Sequence, residues 1–231
     1  LFLRVFRISK NDKENWCMDL NDNPFIKPSY FIDSENNLIQ GYLHDILQNT
    51  TDDPKDQAIA IYLAVRDDFF YDPFIIRTSP ESLRASEIFK AKRGHCIDKA
   101  LLYIALCRAK GIPARLGLAK VRNHMGTSRL EEIIKSDILV PHGYAEVYLN
   151  ECWLKCTPAF NKELCEKLGV PALAFDGEND SVFQAYDREG GGFMEYLEDY
   201  GTFHDLPLGF MIELLYKNYP HLFNEAGELI L

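Results

Sequence analysis

Two side chains in this sequence are suited to forming and breaking an acyl bond: the thiol of Cys96 and the imidazole of His142. Cys96 follows Gly94 by two residues and opens an apolar stretch that runs to Lys110 and is cut off by Gly111-Ile112-Pro113. The thiolate, not the thiol, attacks carbonyl carbons. At a helix start the unpaired backbone N–H groups and the helix dipole favour an anion, and so favour that thiolate. Imidazole is the side chain best matched to taking and returning a proton near neutral pH. Gly94, with no side chain, lets the backbone turn sharply before the thiol and lets a substrate come close. Cys107, Cys152, Cys156 and Cys165 read as structural thiols, since free cysteine packs like a small hydrophobe.

The elements that must hold these groups are legible in the spacing. Ile97, Ala100, Leu101, Ile104, Ala105 and the stem of Arg108 recur on one face of a 3.6-residue period. Gly111 and Pro113 then end the helix. Ahead of it, Asp53 caps and Pro54 starts a second helix whose apolar stripe is Ala58, Ile61, Tyr62, Val65 and Phe69, ending near Tyr71-Asp72-Pro73. A short helix begins at Ser79-Pro80 or Ser86-Glu87. After Pro113 the pattern changes to strands: Ala114 to Val121, then Ile138 to Leu149, then Cys152 to Thr157. Asn150-Glu151 between the last two reads as a hairpin turn. A two-residue loop pairs Leu149 with Cys152, Glu146 with Lys155 and Tyr144 with Thr157. Alternation then puts His142, Tyr144, Glu146, Tyr148, Trp153, Lys155 and Thr157 on a more polar face. Ala145, Val147, Leu149, Cys152, Leu154 and Cys156 read as core. Glu146 opposite Lys155 is expected to be a cross-strand ion pair.

Elsewhere the signal is weaker. Leu3 to Ile8 alternates as a strand, Asn21 to Pro24 is a turn signal, and Tyr30 to Ile32 and Leu38 to Leu47 are short apolar pieces. The polar stretch Asn123 to Asp137 reads as a loop holding His124 and a short helix at Leu130 to Ile134. Beyond Pro158, a short helix is expected at Lys162 to Leu168 and turns at Asp176-Gly177 and Gly190 to Gly192. Leu208, Met211, Leu214 and Leu215 mark an amphipathic helix that packs on the core.

Composition narrows the function classes. The 231 residues are 47% hydrophobic, enough for a sizeable core. The net charge of −10 and the lack of a basic stripe argue against a nucleic-acid partner. No apolar run reaches transmembrane length, so no membrane partner is expected. Six cysteines in a chain this long do not form a disulfide framework, and reduced thiols in a cytoplasmic protein are the expectation. Cys152, Cys156 and Cys165 are spaced too loosely for zinc, and no Lys-Ser or Lys-Thr follows the triple glycine as a phosphate loop requires. Neither metal nor cofactor is expected.

Three stretches taken together resemble the transglutaminase-like superfamily of papain-type cysteine enzymes, in its compact microbial style. They are Gly94-His95-Cys96 with its helix, Arg108 to Arg115, and His142 to Leu149 followed by Trp153 and Thr157-Pro158. The resemblance spans roughly residues 55–160 and rests on order and spacing. It implies an α+β fold with a nucleophile helix packed on an antiparallel sheet. It also implies a single domain: a core over 53–160 with N-terminal (1–52) and C-terminal (161–231) elaborations.

By this resemblance Cys96 is the nucleophile, His142 the general base and later the general acid, and the backbone N–H of Cys96 part of an oxyanion hole. The family's third position departs. Where relatives carry Asp before Pro, this chain has Thr157. A threonine hydroxyl can accept an imidazole N–H but brings no charge to steady the imidazolium. Asn161 and, farther off, Asp176 are the alternative orienting groups. Two readings therefore stand: a thiol-dependent amidase, protease or acyltransferase acting on a peptide, a protein or a small amide, or a weak or inactive domain that binds peptide in the same cleft.

Overall fold

The computed structural model describes residues 23–123, 128–182 and 194–230. The expected strand at Leu3 to Ile8, the first half of the Asn21 to Pro24 turn, His124 and the triple glycine lie outside the described residues.

The first helices form as capping chemistry dictates. In α1 (Asn37–Leu47) the Asn36 side chain accepts from Leu38 N. In α2 (Pro54–Asp68) the Asp53 side chain accepts from Lys55 N, with Pro54 in the first turn. The expected stripe of α2 is fully buried. A two-residue strand, β1 (Phe70–Tyr71), follows, then α3 (Ala85–Ala91) and β2 (Arg93–Gly94), which pairs in parallel with β1. Next comes α4 (Cys96–Ala109), the central rod of the molecule. It packs against α1, α2 and α3 and against the sheet, and every residue from Cys96 to Arg108 is buried. The single apolar face expected from periodicity was too narrow: Leu102, Tyr103 and Leu106 are just as inaccessible. A helix wrapped on all sides loses the amphipathic signature of a surface helix.

The sheet is antiparallel throughout and runs β5-β4-β3-β6, with β3 Ala114–Asn123, β4 Ile138–Leu149, β5 Cys152–Cys156 and β6 Met194–Phe203. The expected hairpin register holds from Leu149 opposite Cys152 to Glu146 opposite Lys155. Asn150 and Glu151 both have positive φ, as the favoured two-residue hairpin loop requires. Three expectations need correction. The ladder stops at Ala145 opposite Cys156, and Thr157 N turns instead to Ser181 O at 3.0 Å. Cys152, placed in the core by alternation, is exposed beside the turn. The face thought polar is also covered, because Val182 and Tyr196 pack over Tyr144.

The expected Glu146–Lys155 pair is long, at 3.9 Å. Arg115 on β3 holds Glu146 at 2.6 Å, and Lys155 reaches Asp199 on β6 at 3.1 Å. Helices α5 (Ser128–Ile134), α6 (Lys162–Leu168) and α7 (Leu208–Asn218) complete the fold. Met211, Leu214 and Leu215 of α7 are buried, and α7 packs against β4. Just beyond it, the Tyr219 hydroxyl accepts from Val140 N at 2.8 Å and donates to Ile138 O at 2.6 Å, fixing the start of β4.

Candidate active site

Cys96 is the first residue of α4, as expected, and only 8% of it is exposed. The preceding His95 caps the helix. Its Nδ1 accepts from Asp98 N, and the Asp98 carboxylate accepts from His95 N at 3.0 Å, a reciprocal capping box. Strand β4 comes down directly on this first turn. Gly143 N donates to Cys96 Sγ at 3.4 Å. A Cβ at 143 would lie 2.7 Å from the Ile97 side chain and 2.8 Å from Ile97 Cα, so only glycine permits the approach. His142, which precedes Gly143 on β4, is 2% exposed.

The electrostatics differ from a simple helix-start argument. Burial pushes the Cys96 thiol up to about 11. The N–H groups of Gly143, Ile97 and Cys96 pull the other way and the nearby Asp98 carboxylate adds to the rise. Desolvation of the thiolate therefore outweighs the helix terminus. Burial also pushes His142 down to about 3, with His95 nearby adding to the fall. Burial thus disfavours the charged form of each group, the thiolate of Cys96 and the imidazolium of His142.

The three candidate orienting groups lie in different settings. Thr157 is 5% exposed; its carbonyl accepts from Tyr62 at 3.2 Å, and its Oγ1 is buried without a hydrogen-bond partner among the described residues. Asn161 is buried, and its Oδ1 accepts from Tyr71 N at 3.2 Å. Asp176 is exposed and spends its carboxylate on its own turn, accepting from Glu178 N, Asn179 N and the Asn179 side chain.

Sequence reasoning missed the groups behind the nucleophile. Asp98 is fully buried, and Arg77 donates to the same carboxylate oxygen that His95 N uses. Gly94 is required by this carboxylate: a Cβ there would lie 2.5 Å from Asp98 Oδ2. The missing side chain leaves the room that Asp98 occupies. An acidic residue three positions after the cap was the available signal. Lys99 was also missed, since a lysine inside an apolar helical run reads as an interruption.

A cysteine opening a buried helix, a strand with histidine laid across that first turn, and a hairpin returning to Thr157 form one arrangement. The family model that describes the transglutaminase-like superfamily matches residues 41–158. The chain belongs to this superfamily. No curated protein matches the chain. Among solved structures, a candidate cysteine protease from Cytophaga hutchinsonii is similar at 22% identity and a TM-score of 0.46, covering 59% of this chain and 41% of that one. A candidate protease from Parabacteroides distasonis is 11% identical with a TM-score of 0.35, covering 55% of this chain and 25% of that one. The chain thus spans less than half the length of either. Among the described residues, no helix is long and apolar enough to cross a membrane, and no cluster of three His, Cys, Asp or Glu could hold a metal ion.

Proposed function

We propose that this chain is a thiol-dependent enzyme that cleaves or transfers an acyl group of a peptide, protein or small amide. Cys96 is the nucleophile, His142 its base and Thr157 the group we assign to orient that base, its buried Oγ1 making no hydrogen bond to His142 in the structure as it stands. The observation that carries the reading is the contact of Gly143 N with Cys96 Sγ, which brings the histidine-bearing strand onto the nucleophile's helix start.

Burial of both groups, which disfavours a charged pair, favours a base-assisted mechanism. Cys96 Sγ attacks the carbonyl carbon while its proton passes to His142, so base assistance replaces a preformed ion pair. The carbonyl electrons move to oxygen, where backbone N–H groups at the helix start, Cys96 N among them, meet the charge. The C–N bond then breaks, His142 returns the proton to the leaving amine, and a thioester remains on Cys96. Water or a second amine attacks it, gives its proton to His142, and the sulfur takes that proton as the C–S bond breaks.

One observation favours the rival reading of a peptide-binding domain. Thr157 stands where relatives carry a carboxylate, and it brings no charge to an imidazolium. Iodoacetamide labelling, read by peptide mass, separates the two, with exposed Cys152 as internal reference. With His142 taking the proton, labelling at Cys96 near pH 7 slows in His142→Ala while labelling at Cys152 does not. Labelling at Cys96 that is unchanged in the variant sinks the enzyme reading and directs the search to peptide partners.

A further inference from the structure

Lys99 lies one helical turn after Cys96 and is wholly shielded from solvent. Its Nζ donates to three backbone carbonyls: Arg66 O at 2.9 Å, Phe69 O at 2.7 Å and Ala159 O at 2.6 Å. A neutral amine has two N–H donors and an ammonium has three, so these acceptors together hold the charged form. Burial pushes the group down to about 7, and the Asp67 carboxylate opposes that fall. Two of the carbonyls end α2, where the helix dipole presents partial negative charge. The third stands midway between Thr157 and Asn161 in the segment that leads from β5 to α6.

We propose that Lys99 is a positioning residue: its ammonium fixes the 157–161 segment against the first turn of α4, so the helix that carries the nucleophile also sets where the group orienting His142 stands. The inference deepens the proposed function and rests on Cys96 and His142 acting as described there. The chemistry that recommends lysine is reach combined with three divergent donors. Methionine matches its length but donates nothing, and arginine presents a planar fork.

The test is Cys96 labelling by iodoacetamide from pH 5 to 9 in wild type, Lys99→Met, Thr157→Val and the double variant, with melting temperatures alongside. Positioning predicts that Lys99→Met slows neutral-pH labelling on the order of tenfold or more. It also predicts that Thr157→Val has little further effect in that background, although the two changes add in melting temperature. A purely structural lysine would lower the melting temperature and leave the rate and pH profile of labelling as in wild type, which overturns the proposal. So would independent, multiplying effects of the two substitutions. If Lys99→Met does not fold, lysine-selective nitrogen NMR of the wild type decides. At pH 5.5 an ammonium with slowly exchanging protons coupled to the Ala159 carbonyl supports the assignment, and a neutral amine at that pH overturns it. Cys96 labelling that His142→Ala leaves unchanged would overturn this proposal together with the proposed function. Labelling that depends on His142 but that Lys99→Met leaves untouched would overturn the role of Lys99 alone.

Discussion

At the residue scale, the site holds two groups displaced from their ordinary ionisation in opposite senses, Cys96 up to about 11 and His142 down to about 3. For His142 this has a stability consequence with a fixed sign. Between its ordinary value of 6.5 and about 3 the unfolded chain binds a proton that the folded chain refuses. Stability is therefore lost as pH falls through that window. Thermal melts of His142→Gln should show a shallower decline between pH 6.5 and 3 than wild type; an equal decline would place the acid sensitivity elsewhere. Thr157 gives a second prediction. Thr157→Val keeps the shape and removes the hydroxyl, and should slow Cys96 labelling less than His142→Ala does. Equal losses would mean the hydroxyl matters as much as the base. Asn161→Ala is expected to lower the melting temperature, because Tyr71 N loses its acceptor, with a smaller effect on labelling than Thr157→Val. The reverse ranking would make Asn161 the orienting group.

At the element scale, the decisive contact is β4 against the start of α4. Gly143→Ala would drive a methyl into Ile97 Cα and its side chain, and backbone has no rotamer with which to yield. A destabilisation of about 1–3 kcal/mol is expected from such overpacking, read as a fall in denaturant midpoint. Labelling at Cys96 should change with it, since Gly143 N would leave the sulfur. A variant with wild-type stability and labelling would show that the contact does not hold the site. The same elements show what the sequence could reveal. Helix α2 and the β4–β5 hairpin were legible because cap, stripe and alternation agreed. Strand β6 was not: Glu195, Glu198, Asp199 and Gly201 break its alternation, and only Met194, Thr202 and Phe203 along it are buried. Helix α1 buries only Ile39 and Leu43, too few to show a period. The partner of Glu146 was missed because a hairpin fixes the register of two strands and says nothing of Arg115 on the third. Cys96 and His142 were legible as a spaced pair. Lys99 was not, because its partners come from distant segments that local pattern does not connect, and of Asp98 only the bond to His95, not that from Arg77, lay within reach of local pattern.

At the scale of the whole molecule, buried cations tie distant segments by donating to carbonyls. Arg108 does at the far end of α4 what Lys99 does near its start. It donates to Ala114 O at 2.9 Å, Lys27 O at 3.0 Å and His204 O at 2.6 Å, joining an early segment, the start of β3 and the turn before α7. Arg108→Leu strands three acceptors and should cost roughly 3 kcal/mol or more. The loss should appear as one cooperative shift of the melt by circular dichroism, with the ratio of Cys96 to Cys152 labelling in the folded protein unchanged. A local effect at Cys96 would contradict this division of labour along α4. The pairing of β6 with β3, and the grip of Tyr219 on the start of β4, bear on how the protein is made. A ribosome that has translated as far as Asn161 has supplied the thiol, the imidazole and each of the nearer groups proposed to orient it. It has not yet supplied the outer strand of the sheet or the tyrosine that anchors the histidine's strand. Until residues 194–219 have been made, the nascent chain lacks both, so the support that holds the strand of His142 comes from a segment that follows it by some tens of residues.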